Sequence, residues 1–201
     1  MSDAEVDTDS AIMAATYRAV CSHGYADLTM QDIADEFEKS KSLLHYHYDT
    51  KEDLLVAFLE HLVDQFEDHL DELTSTDRPP QDRLRDYIEG FTVEPDETER
   101  TSLHLALLEM RSQAQRNERF REQFVRSDRM ARGAFASLIE EGQASGCFDP
   151  SADADAIAHL LFAAMDGARA RQITLGEDGY AEAVGVTLYR SVIEPLLIED
   201  R

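Results

Sequence analysis

Lysine is nearly missing from this 201-residue chain: it occurs only at Lys39, Lys41 and Lys51, and the remaining Lys/Arg positions are all arginine. The formal net charge is -23, and the acid is spread along the chain rather than gathered in a tail. An excess of this kind solvates and self-repels, and it argues against a generally basic, polyanion-seeking surface. It reads as adaptation to a salt-rich cytoplasm, as in a halophile, where carboxylates hold water and ions; an ordinary acidic protein is the alternative. Cysteine is also scarce. Cys21 and Cys147 lie in different halves with no second cysteine at metal-ligand spacing, so each reads as a small, partly buried apolar residue. No apolar run is long enough for a membrane span. The acidic, polar first residues are the wrong chemistry for a signal peptide, which places the chain in the cytoplasm. Strand-like alternation and internal repeats are absent. There is no nucleophile–base pair, glycine-rich phosphate loop or metal-ligand spacing. No enzyme activity, cofactor or metal is therefore expected.

What remains is helix. Hydrophobic content of 43% supports a globular core of one or two domains. Ile12, Ala15 and Ala19 share one face of a first helix, about 9–22, that stops at Gly24. Thr29, with Asp32 three residues on, opens a second helix carrying Ile33, Ala34 and Phe37. After a break at Glu38-Lys39, Ser40 can cap a third helix, 41–47, with Leu44 and Tyr48 inward. Thr50 and Asp53 cap a long fourth helix whose stripe runs Leu54, Leu55, Phe58, Leu62, Phe66, Leu70, Leu73. The run around Pro79-Pro80 ends it. Five more helices follow: about 81–92, a sixth with Leu103, Leu107, Leu108 and Met110, and then 117–144, 152–174 and 180–197. The polar stretch 111–119 reads as the link between the sixth and seventh. The expected fold is all-α with nine helices: a three-helix domain at 1–51 and a six-helix domain at 52–201.

The stretch 24–54 contains all three lysines and has the layout of a helix-turn-helix. In that motif the second helix enters the major groove, and helix N-termini with nearby hydroxyls hold phosphates. Thr29 and Thr50 sit at helix N-termini. Ser40, Lys41 and Ser42 supply donors at the start of the third helix, and Tyr46 and His47 close it. Lys51 stands in the first turn of the fourth helix, where a cation opposes the helix dipole, so a phosphate beside it would account for its presence. His45 and His47, two apart on a helix, point away from each other and do not make a metal pair.

These residues resemble the N-terminal domain of the TetR family of transcriptional regulators. Gly24-Tyr25, Thr29, Ile33-Ala34, Ser40-Lys41-Ser42, Leu44-His45-Tyr46-His47-Tyr48 and Lys51-Glu52-Asp53-Leu54 carry the likeness. The C-terminal half, with Glu140-Glu141-Gly142, Gly146-Cys147-Phe148 and Asp166-Gly167, is loosely similar to the ligand and dimer domain of the BetI-type branch. The resemblance implies DNA contacts at Thr29, Ser40, Lys41, Ser42, Leu43, His45, Tyr46, His47 and Lys51. Thr29, Tyr46, His47 and Lys51 would hold phosphates, and Lys41, Ser42, Leu43 and His45 would meet base edges or thymine methyls. It also implies a homodimer through the last two helices, a palindromic double-stranded operator, and release by a small-molecule inducer. Phe66, Tyr87, Phe91, His104, Met110 and Phe124 are the candidates for the inducer pocket; plain core is the competing role for each. The chain departs from the family pattern at Glu38 and Ser42, both commonly glycine, and at His45, commonly tyrosine. An activator or ligand-independent DNA binder, and an acidic protein-binding adaptor, are the alternative functions.

One tension is visible already. Residues 1–51 hold four basic residues and ten acids, the reverse of the usual balance in a DNA-binding domain.

Overall fold

The computed structural model describes residues 3–37, 41–92 and 97–198. Nine α-helices occur among them: α1 Asp3–Asp27, α2 Met30–Glu36, α3 Lys41–His47, α4 Lys51–Thr74, α5 Pro80–Thr92, α6 Glu97–Gln113, α7 Glu118–Ala144, α8 Ala154–Leu175 and α9 Tyr180–Leu188. No strand occurs among the described residues; the sole β-type pairing there is an isolated antiparallel bridge between Phe148 and Leu197. The all-α expectation holds, and so do the caps. Thr29 and Asp32 form a reciprocal capping box at α2. At α4 the Asp53 N–H donates to Thr50 Oγ1 at 3.1 Å, and the Thr50 hydroxyl donates to the Asp53 carboxylate at 2.6 Å. Each satisfies an amide that the helix itself cannot.

Two expectations change. The polar link is shorter than 111–119, because α6 continues to Gln113 and α7 starts at Glu118. Leu107 and Met110 carry the helix onward into the core, past polar residues that face solvent. The last helix is not continuous to Leu197. It widens into a π turn at Tyr189–Ile193 and tightens into a 3-10 turn at Glu194–Leu196. Pro195 gives the reason. It has no N–H to donate, and its ring would clash with the carbonyl four residues back, at Ser191, inside the widened turn.

The chain packs as two compact units, Met1–Gln65 with Asp96–Arg126, and Phe66–Pro95 with Ser127–Arg201. The divisions fall inside α4 and α7. The head expected at 1–51 lies within the first unit. That unit's core joins Ile12, Ala15, Ala19, Ile33, Leu44, Leu54, Leu55, Phe58, Met110 and Phe120. Removing each large apolar side chain from water contributes on the order of 1.5–3 kcal/mol, as an upper estimate.

In the second unit, Leu84, Tyr87 and Ile88 of α5 meet Phe135, Leu138 and Ile139 of α7 and Leu161 and Met165 of α8. Gly142 is buried there because a Cβ would overlap the Phe148 ring, which lies against the helix. Arg83 is also fully buried, at 1% exposure. It donates to the Thr74 carbonyl at the end of α4 at 2.5 Å and is paired with Glu141 of α7. Cys21 and Cys147 are free and half-buried. No described helix is long and apolar enough to cross a membrane.

Candidate nucleic-acid interface

The reading surface is built on a small anchor. Leu44 is fully buried, and Leu43 and Tyr48 are half-buried against the same core. The rest of α3 is thereby turned outward. Ser42 and His45 are exposed, and Tyr46 is 84% exposed, the most open large side chain among the described residues. A helix of seven residues cannot hold itself together in water, so its position depends on Leu44 and on its neighbours. Arg18 of α1 fixes one neighbour. It donates to the Glu36 carbonyl at 2.7 Å and to the Glu36 carboxylate at 3.0 Å, capping the end of α2.

The other expected contact residues sit as follows. Thr29 is exposed, but its hydroxyl and N–H are both engaged by Asp32, at 2.6 and 2.8 Å. These hydrogen bonds hold the Asp32 carboxyl below the usual carboxylate range. His47 is half-buried with Nδ1 3.7 Å from the Asp9 carboxylate. Burial raises the Tyr48 hydroxyl above its ordinary value, with Asp9 and Glu60 adding to it. Ser40 and the turn residues Glu38 and Lys39 lie outside the described residues, as does the side chain of Lys41.

Lys51 makes contacts that its sequence position did not suggest. Its ammonium donates to the carbonyls of Leu28 at 2.9 Å and Tyr25 at 3.3 Å, and lies 5.0 Å from the Tyr25 ring centre. Tyr25 is held elsewhere as well. Its N–H donates to Glu109 of α6 at 2.8 Å, and its ring meets Phe120 of α7 edge-on at 6.1 Å. The break in α1 makes this possible: Gly24 has φ 67, and a Cβ there would stand 3.5 Å from the Glu109 carboxylate. Sequence reasoning missed Arg18, Glu109 and Phe120. The one local signal was Gly24, which reads as a helix stop and says nothing of the carboxylate that meets it from eighty-odd residues away.

The pocket candidates divide between the two cores. Phe66, Tyr87 and Phe91 belong to the second unit, and His104, Met110 and Phe124 to the first. Met110 is fully buried, while Phe124 and His104 are half-buried. The Tyr87 hydroxyl donates to the Ala131 carbonyl at 3.3 Å, its ring lies 4.3 Å from that of Phe135, and burial pushes its pKa up. Phe91 packs under the Arg169 guanidinium at 4.1 Å and edge-on to Phe162. In the second unit a groove of about 450 Å³ runs between α5 and the last helical stretch, bordered by none of the six. Among the described residues no group of three metal-ligating side chains comes together.

A short capped helix followed by an anchored, outward-facing one is the apparatus of a helix-turn-helix DNA-binding regulator. The chain belongs to the TetR family of transcriptional regulators. Residues 12–58 match the model for bacterial regulatory proteins of the tetR family, and residues 80–197 match that for the BetI-type transcriptional repressor C-terminal domain. A crystal structure of a TetR transcription regulator from Haloarcula marismortui ATCC 43049 is similar, with a TM-score of 0.86 and 39% identity, covering 96% of this chain and 100% of that one. The HTH-type transcriptional regulator BetI of Rhizobium meliloti (strain 1021) is 29% identical over 163 residues, 81% of this chain and 76% of that protein. A transcriptional regulator from Saccharomonospora viridis, solved in complex with choline, shares the fold at TM-score 0.80 with 24% identity over 96% of this chain and all of that one. The family is one of non-enzymatic DNA-binding regulators.

Proposed function

We propose that this regulator is a cytoplasmic homodimeric repressor that binds a palindromic operator through α3 and is released by a small ligand. The head, 1–51, reads DNA, and 52–201 dimerises and binds the ligand. The observation that carries the reading is the outward face of α3, where Ser42, His45 and Tyr46 are exposed on a helix pinned by Leu44. Ser42, Leu43, His45 and Lys41 meet base edges or thymine methyls. Tyr46, His47 and the N-termini at Thr29 and Thr50 approach phosphates, together with Ser40 and Lys51. Lys51 already spends two of its three N–H donors on Tyr25 and Leu28, so its role is to set the α1–α2 link and to offer its third to phosphate.

The dimer face is the outer side of α8 and α9. Leu160, Leu175, Tyr180 and Val186 are exposed there at 39 to 61%. The ligand pocket draws on Phe66, Tyr87, Phe91, His104, Met110 and Phe124. The match of residues 80–197 to the BetI-type domain points to a small organic cation as inducer. The acid-rich surface suits a salt-rich cytoplasm.

Genome-wide capture of DNA fragments with the purified chain tests the reading. Recovery of one palindromic motif is expected, with Tyr46→Ala and His45→Ala abolishing enrichment. Equal recovery of random fragments would sink it. A thermal-shift screen with choline and lipophilic cations tests the ligand arm, and no stabilisation by any of them would remove that class.

A further inference from the structure

Among the described residues, the side chains of Glu182 and Arg190 make no ion pair or hydrogen bond within the chain. Many other arginines do: Arg18 holds Glu36, Arg119 holds Asp53, Arg126 holds Asp64 and Arg171 holds Glu177. In a chain of net charge -23, an exposed arginine left without a carboxylate is out of pattern.

Glu182, Val186 and Arg190 stand at steps of four, and all border the groove whose other wall is Arg85, Ile88 and Glu89 of α5. Steps of four form a single ridge on a helix. Val186, at its middle, is 53% exposed beside the buried Gly185. Arg85 is not available to the ridge: its guanidinium lies 4.5 Å over the Tyr189 ring and donates to the Tyr189 hydroxyl at 3.0 Å.

The ridge is antisymmetric in charge about Val186, with a carboxylate four residues before it and a guanidinium four residues after. A parallel copy of the same ridge would oppose like charges. An antiparallel copy, related by a two-fold axis beside Val186, sets Glu182 against the partner subunit's Arg190 and Arg190 against the partner subunit's Glu182. An isologous contact requires that kind of self-complementarity. We propose that α9 packs on α9 of a second copy in antiparallel register centred on Val186, fixed by two symmetry-related Glu182–Arg190 ion pairs. This rests on the homodimer reading above and adds its register. The apolar face supplies most of the association energy; the exposed pairs select the register, since each alone is weak.

The test uses the full-length chain at the lowest salt where wild type keeps its helical circular dichroism, so that charges are least screened. Sedimentation equilibrium compares wild type, Glu182→Arg, Arg190→Glu, their equimolar mixture, and the double reversal. Each single variant opposes like charges twice in its homodimer and dimerises at least about tenfold more weakly. In the mixture both contacts become Arg–Glu, so heterodimer forms in large excess over either homodimer, as native mass spectrometry would count. The double reversal regains wild-type affinity. A dimeric wild type whose variants mix in statistical proportions overturns the register and leaves the homodimer standing. A monomeric wild type removes both. Glu182→Gln and Arg190→Gln serve if a reversal does not fold: they weaken dimerisation modestly and reduce its salt dependence, and an unchanged salt dependence overturns the register.

Discussion

Asp53 carries three tasks in one carboxylate. It accepts the Thr50 hydroxyl, its own N–H is capped by Thr50, and it takes Arg119 of α7 at 2.5 Å. The Thr50 hydrogen bond first, and Arg119 second, hold its pKa below the usual carboxylate range; Asp32 is lowered in the same way by Thr29. Both groups are more acidic folded than unfolded. Their stabilisation is therefore fully present above the ordinary aspartate value of about 3.9 and is lost as pH falls through the lowered folded values. Asp32→Asn and Asp53→Asn are expected to lower stability at neutral pH and to flatten the acid limb below about pH 4. Urea midpoints against pH at constant KCl would show it, and an acid limb as steep as wild type would contradict it.

Arg83 poses the opposite problem, a charge kept from water. Its partner Glu141 is half exposed, so breaking the pair from the acid side strands a buried cation. Glu141→Ala is expected to cost about 2–3 kcal/mol, and more than Arg83→Met, which removes the buried charge while filling most of its volume. Denaturant titration of the two variants ranks them, and the reverse order would show that the Thr74 carbonyl matters more than the charge.

At the scale of elements, the capped starts and apolar stripes made most helices legible. Thr29 with Asp32 and Thr50 with Asp53 could be read because capping chemistry is local. The inward assignment of Leu44 followed from period alone. What could not be read was set by distant partners. Nothing near Lys51 in sequence says that its ammonium turns back to Leu28 and Tyr25 rather than outward. The π turn needed Pro195 to be seen as a constraint on residues before it. Gly142 looked like a loop marker, yet it lies in α7 and faces Phe148. Gly142→Ala should raise helix propensity and still destabilise the protein, by about 1–3 kcal/mol, because the added methyl must displace a buried ring. Pairing it with Phe148→Leu should recover part of that loss. A Gly142→Ala variant more stable than wild type would mean that propensity outweighs the clash.

For the whole molecule, the acidic charge and the DNA-reading face have to coexist. Residues 1–51 hold ten acids against four bases, so in dilute buffer the head is repelled by the duplex it reads. Near 1 M salt the screening length falls to about 3 Å, and distant carboxylates cease to count while groups touching DNA still do. Counterion release also shrinks, because few cations are available to replace ions on the phosphates. Of the charged candidates, Lys51 divides its donors with two carbonyls, and His47 faces Asp9. Binding must then rest on hydrogen bonds, shape and bound water at Ser42, His45 and Tyr46. The expected outcome is specific binding that survives molar KCl, with a slope of log affinity against log salt well below the magnitude of about 5–9 that six to ten phosphate contacts give. Weakening on dilution is expected as well, as repulsion returns. Gel-shift titration from low to molar KCl on the captured operator measures both limbs. Neutralising the head's exposed acids Asp27 and Asp35 to asparagine should strengthen binding in low salt and leave it unchanged in molar salt. A steep, monotonic loss of affinity with KCl would show instead that phosphate contacts dominate despite the acid around them.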